Sequence, residues 1–397
     1  MSGKSPRPRA LGLVIQHAKS VFTHSGPKAD HPYQADGSKQ RAFISLGRRM
    51  RFIPVIASQI QTDNVGTEIR MDRDWVRELI ENFSSATIGD MNIPKLINDR
   101  QLHTPSRLFK IRTCSDFALK NLAEKTLYLS VANEFNDPYD TAFWADYRKI
   151  AAWEKLDELG FSKDQVVEVL ESKDLISAVR ALTSAQEPPI PNVDQWLHEV
   201  EILAQNFHAG ELPWLIDQFK SSYKICSLSE RVDSVLMWSH YGYNHTGFAM
   251  EYDFTGLHRN HLSTLTLWPV AYTDQLLDIT HILKTQRRDK DFNALYGIVA
   301  SLCKAIDWQY EREWRWVVPD GSEVKGFDLD APLKAVHLGA RISDPDALRI
   351  MKICSKIDIP VYRVRLSPHE YRMISEPHIP VIEGEAETQS FSKRCMD

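Results

Sequence analysis

The sequence predicts an α+β protein in which strands and helices follow an irregular order rather than a regular βαβ winding. Three observations carry that expectation. Short strand-like apolar runs recur after residue 220, helical periodicity dominates from 138 to 219, and no internal repeat is present. Hydrophobic residues at 43% and charged residues at 25% are ordinary globular values, and 397 residues suffice for one large domain plus a smaller N-terminal piece.

The N-terminal 50 residues are rich in Ser, Gly and basic residues and are expected to form a flexible arm. They carry nine Lys/Arg against Asp30 and Asp36, a balance of +7 in a chain of net charge −5. Such an arm either contacts nucleic-acid phosphates or is a solvated tail. Its apolar run Ala10–Ile15 is too short for a signal-peptide core. No run approaches the roughly 18 residues of a membrane span. Five scattered cysteines, none in a C-x-x-C pair, suit free thiols in a reducing compartment, with Cys226 and Cys354 in the core. The expected location is cytoplasmic, without a membrane partner.

Residues 51–105 read as a small accessory segment. It holds a strand candidate at Phe52–Ile56 and a helix at Asp72–Phe83, with Trp75, Leu79, Ile80 and Phe83 on one face. The main α+β domain is expected over residues 106–375, ahead of a tail at 376–397. Leu108–Arg112 alternates as a strand, Ser115–Ala123 reads as a short capped helix, and Thr126–Val131 as a second strand. A helical insertion then runs over residues 138–219, broken at Pro188, Pro189 and Pro191. Strands follow at Tyr223–Leu228, Gly247–Phe254, Leu265–Tyr272, Glu313–Val318, Leu333–Leu338 and Val361–Leu366. Helices centred near Met237, Val299 and Ile350 are interspersed.

Three segments can carry chemistry. In Asn136-Asp137-Pro138-Tyr139-Asp140, Asp137 reads as a helix cap with Pro138 and Asp140 in the first turn, and Asn136 as a residue at the mouth of a site. In Cys226–Gly242, Ser227 and Ser229 alternate at a strand end, and Trp238 and Tyr241 share a helical face, as core or as the wall of a pocket for a flat ligand. In Trp308–Pro319, Glu311, Glu313 and Arg315 fall on one face and Arg312, Trp314 and Trp316 on the other. Those carboxylates are either a surface ladder or a partly buried pair that perturb one another's pKa. Glycine-rich phosphate loops, the G-x-G-x-x-G fingerprint and H-E-x-x-H are all missing. His240, His245, His258 and His261 lack acidic or cysteine partners at matching spacing, so a metal-free mechanism is expected.

Leu108–Arg112, Phe135–Asp140, Met237–Tyr241 and Trp308 with Glu311–Arg315, in that order, closely resemble a widespread bacterial family designated domain of unknown function 2971. The resemblance spans about residues 108–366. More distantly the segments resemble ADP-ribosyltransferases, which split NAD at the bond between nicotinamide and ribose. The resemblance implies a transferase-like mixed sheet with a helical insertion and an N-terminal extension. It implies Arg112 or Lys110 on the NAD phosphates, and Asn136, Ser227, Ser229, Trp238 and Tyr241 around the cofactor. It implies Glu313 as the catalytic carboxylate and Glu311 orienting the acceptor or water. The middle strand reads S-L-S where arginine-modifying members have S-T-S, and Trp314 and Trp316 stand where aliphatic residues are usual.

The expected function is therefore an NAD-consuming transferase or glycohydrolase acting on a protein, a nucleic acid or water, as a toxin or anti-phage defence effector. Two other readings stand beside it. The Arg/Trp/Tyr alternation of Trp308–Trp316 can be a stacking platform for single-stranded nucleic acid. Asp137, Asp140, Glu311 and Glu313 can hold a divalent metal in a hydrolase or nuclease.

Overall fold

The computed structural model describes residues 73–257, 266–286, 291–320 and 324–378. The basic arm, the Phe52–Ile56 strand candidate, His258, His261 and the tail beyond residue 378 lie outside them. In chain order the elements open with α1 (Asp74–Phe83), α2 (Ile93–His103), β1 (Leu108–Arg112), α3 (Asp116–Glu124) and β2 (Thr126–Val131). A short β3 (Phe143–Trp144) precedes five helices, α4 (Tyr147–Glu158), α5 (Lys163–Glu171), α6 (Leu175–Ser184), α7 (Val193–Asn206) and α8 (Leu212–Ser222). Next come β4 (Tyr223–Ser229), α9 (Val235–His240), β5 (Phe248–Tyr252), β6 (Leu267–Pro269), β7 (Ala271–Thr273) and β8 (Leu277–Asp278). After α10 (Thr280–Gln286) and α11 (Tyr296–Ser301) follow β9 (Cys303–Ala305), β10 (Glu313–Pro319), β11 (Gly326–Asp330) and β12 (Leu333–Leu338). The series ends with α12 (Asp344–Ile357), β13 (Val361–Leu366) and β14 (Met373–Pro377). The class is mixed α+β.

The chain divides into two compact units, each assembled from separate stretches. Among the described residues, the first comprises 73–108, Lys125–Arg231 and those within Asp253–Pro332. Its strands run in the order β11-β2-β4-β10-β6, each neighbour antiparallel to the next. β10 lies between β4 and β6, and all its residues but Val318 are buried. A strand covered on both faces reads as a nearly continuous apolar run, so buried charges within it stand out. The main core packs Leu79, Phe83 and Leu96 of α1 and α2 against Phe219, Tyr223, Tyr296 and Val317. The described part of the 51–105 segment thus contributes to this core rather than building its own. Asn92 caps α2 by accepting from the Lys95 amide, with Pro94 in the first turn.

The helical insertion starts later than its sequence suggests. Asp137 accepts from the Tyr139 amide in a turn, no helix follows there, and Asp146 caps α4 instead. Pro138 and Asp140 therefore do not open a helix. Helices α4–α7 hold a core of their own, centred on Leu156, Val179 and Trp196, and the proline-rich break falls between α6 and α7 as expected.

Among the described residues, the second unit comprises Phe109–Glu124, Val232–Tyr252 and 333–378. Its strand order is β1-β5-β12-β13-β14, with β12 and β13 parallel and joined through α12. Gly247 precedes β5, and a side chain there would meet the Arg112 carbonyl oxygen at 2.0 Å, so only glycine permits the approach. His337 is buried between Phe109 and Tyr362, with Glu251 and Ser375 on its two ring nitrogens.

Candidate functional site

The densest group of buried charges belongs to the first unit and is built on β10. Glu311 ends a 3-10 turn (Ile306–Glu311), Arg312 adopts a left-handed conformation at φ +46°, and β10 begins at Glu313. That single residue reverses the expected geometry. Glu311 does not belong to the strand, yet the turn at Arg312 brings both carboxylates to one ammonium. Lys304 Nζ, on β9, lies 2.6 Å from Glu311 and 3.0 Å from Glu313.

Arg315 completes the cluster. Its Nε donates to Glu313 at 2.8 Å, its two terminal nitrogens grip Asp140 at 2.5 and 2.7 Å, and Nη1 also meets the Ser301 carbonyl at 2.6 Å. Three carboxylates thus face two cations, all five side chains nearly excluded from solvent. Burial alone would raise the Glu313 pKa, but Arg315 and Lys304 hold it far below the ordinary carboxyl value. Burial likewise disfavours the charges on Lys304 and Arg315, yet their carboxylate partners raise both.

The middle strand supplies the other wall. In the antiparallel register Glu313 pairs with Ser229 and Arg315 with Ser227. The Ser227 side chain hydrogen-bonds Glu313 and remains half-buried. Ser229 is spent on the backbone, donating to the Glu311 carbonyl at 2.5 Å and accepting from the Arg231 amide at 2.9 Å. The Tyr272 hydroxyl accepts from the Glu313 amide at 2.8 Å; burial and the nearby Glu313 charge push its pKa well up. Phe135 lies against the Arg315 guanidinium at 5.7 Å, beside the exposed Asn136. Lys304 also sits 4.8 Å from the Trp308 ring.

Glu311, Glu313, Ser227, Ser229 and the 135–140 segment are therefore brought together. Lys110, Arg112, Trp238 and Tyr241 belong to the second unit. There Arg112 lies over the Phe117 ring at 5.3 Å, and Tyr241 is half-buried against His240. Trp238 has no exposed surface and donates its indole N–H to the Val232 carbonyl at 2.7 Å, which makes it a core ring rather than a pocket wall. Lys304, Asp140 as an ion-pair partner, and Tyr272 were not legible as one group. Their only sequence signal was apolar context around a charge, as in Cys303-Lys304-Ala305.

Both rival site readings meet physical obstacles. Trp314 and Trp316 are 0% and 2% exposed, and their N–H groups are used by Glu230 and Thr266, so neither ring is a surface stacking platform. Asp140, Glu311 and Glu313 already hold Arg315 and Lys304 where a divalent ion would have to sit. Among the described residues no cluster of three or more His, Cys, Asp or Glu side chains is arranged around a metal position. Nor does any helix there have the length and apolarity to cross a membrane.

No curated protein and no solved structure matches this chain. Residues 237–316 match the family described as "Protein of unknown function (DUF2971)", a stretch running from within α9 into β10. The match takes in two of the four resembling segments, Met237–Tyr241 and Trp308–Arg315.

Proposed function

We propose that this chain is an NAD-consuming enzyme of ADP-ribosyltransferase type, with Glu313 as its catalytic carboxylate. One observation carries the reading. The serine strand and the glutamate strand are direct neighbours, in a register that sets Glu313 beside Ser229 and within hydrogen-bonding reach of Ser227. The antiparallel pairing of β4 and β10, which puts the two serines beside the E-x-E segment, supports the reading.

In this reading the bond from ribose C1′ to the nicotinamide nitrogen breaks, and nicotinamide leaves with the bonding electrons. The ribose develops oxocarbenium character, which a fixed carboxylate stabilises. Arg315 and Lys304 keep Glu313 ionised for that purpose. Water or an acceptor side chain then attacks C1′ and loses a proton. Lys304 caps the carboxylates in the resting arrangement, so ribose hydroxyls must take over its hydrogen bonds. The acceptor is a macromolecule or water, and by class analogy a toxin or defence effector is the matching role. Release of nicotinamide from NAD by the wild type, lost in Glu313→Gln, is the test.

A further inference from the structure

The second unit holds a serine, a histidine and a carboxylate bonded in series, and the NAD reading uses none of them. His337 on β12 engages Glu251 on β5 through Nε2 at 2.8 Å and Ser375 on β14 through Nδ1 at 2.6 Å. His337 and Glu251 are 0% and 4% exposed, whereas Ser375 is half-buried. The edge-on Phe109 ring at 5.4 Å and the Tyr362 ring, stacked at 5.1 Å, fix the imidazole between them. A carboxylate only accepts, so Nε2 carries the hydrogen and donates to Glu251, and Nδ1 accepts from the Ser375 hydroxyl. Nucleophile, base and orienting carboxylate thus stand in order.

The backbone puts the serine at an edge that a substrate can reach. β14 ends the strand order and pairs with β13, Ser375 opposite Val364. The His378 amide donates to Val361 and the Ser367 amide to Arg372, both at 3.0 Å. Bonded and unbonded pairs alternate along an antiparallel ladder, so Val364 and Ser375 fall on an unbonded pair. The Ser375 N–H therefore points outward from the sheet, along the same edge as the Met373 N–H, which donates to Asp233 at 2.8 Å. An outward N–H on the nucleophile's own residue is a donor for the oxyanion that forms when a carbonyl is attacked. Stability alone does not call for this trio, since apolar side chains of similar volume often serve a core as well as a buried ionic pair.

We propose that Ser375, His337 and Glu251 form a second reactive site, which hydrolyses small carboxylic esters by acyl transfer. Ser375 Oγ bonds to the carbonyl carbon as its proton passes to His337 Nδ1, and Glu251 stabilises the imidazolium. The bond from that carbon to the alcohol oxygen then breaks, and the alcohol leaves with the proton while the acyl group stays on Ser375. Water attacks the acyl-serine and gives its proton to Nδ1. The acid departs, and Ser375 recovers its hydrogen from Nδ1. No residue of the β10 cluster takes part, so the proposal does not rest on NAD cleavage.

The test is labelling of the full chain at neutral pH with a fluorophosphonate, which bonds to an activated serine through phosphorus and releases fluoride, followed by peptide mapping. Folded wild type should carry the adduct on Ser375, and the urea-denatured chain should not. Glu251→Gln keeps the shape but lets an amide donate to Nε2, which leaves the hydrogen on Nδ1 and removes the base. With circular dichroism showing that variant folded, its labelling should be slower by at least about tenfold. Wild type should also hydrolyse p-nitrophenyl acetate, and Ser375→Ala, at a half-buried position, should lose that activity. Absence of a Ser375 adduct in folded wild type, equal labelling of folded and denatured chains, equal labelling rates in wild type and folded Glu251→Gln, or ester hydrolysis unchanged in Ser375→Ala would each overturn the proposal.

Discussion

Arg315 forms a bidentate pair with Asp140, 175 residues earlier in the chain, at 2.5 and 2.7 Å. Both side chains are almost wholly buried, so the pair pins the 135–140 turn to the inner face of β10. Without Arg315, the three carboxylates of the cluster would share the single Lys304 ammonium. The β10 charges are therefore a folding element as well as a candidate site.

Breaking that pair should be costly. Asp140→Ala leaves a buried guanidinium half-compensated, and a loss of about 3–5 kcal/mol is expected. Urea unfolding measures it. Asp99→Ala, which removes the exposed i,i+4 partner of Lys95, should leave the midpoint unchanged.

Acid stability follows from Glu313. Its folded pKa is depressed below the ordinary 4.5, so its contribution is fully present above that value and is lost as pH falls below it. Lys304 has the opposite sense: its folded pKa is raised above 10.5, and its contribution is lost only as pH rises beyond that value. Stability should therefore hold through neutral pH and decline below about 4.5. In Glu313→Gln, acid titration followed by circular dichroism should show a weaker decline. An unchanged pH dependence would contradict the depressed carboxyl.

The two serines of β4 should separate stability from chemistry. Ser229 holds the Glu311 carbonyl inside the protein, so Ser229→Ala is expected to cost about 1 kcal/mol. Ser227 is half-buried against Glu313, so Ser227→Ala should lower nicotinamide release more than it lowers the melting temperature. Paired melting and turnover assays compare them.

Buried thiols give an independent check on the core. Cys226 and Cys354 are each 1% exposed, and burial pushes the Cys354 thiol up to about 12. Neither should react with a thiol reagent at pH 8 until the protein is denatured. Peptide mapping of the labelled cysteines reports the outcome.

Much of this architecture was legible as periodicity. The face of Trp75, Leu79, Ile80 and Phe83 gave α1, and alternation at Leu333–Leu338 and Val361–Leu366 gave two strands where they occur. Asp140 was not legible, because a Pro-Tyr-Asp turn looks like a helix start when its distant partner Arg315 is unknown. Glu311 and Glu313 looked like one strand face because nothing local betrays the left-handed Arg312 that separates them.

The most direct test of the account is nicotinamide release from NAD by purified wild type and Glu313→Gln, with and without a cell lysate as source of acceptor. The account predicts release by the wild type and its loss in the variant, while circular dichroism at neutral pH shows both folded. No release by folded wild type under either condition, or equal release by both proteins, would contradict the assignment of Glu313 and leave the β10 charge cluster a purely structural device.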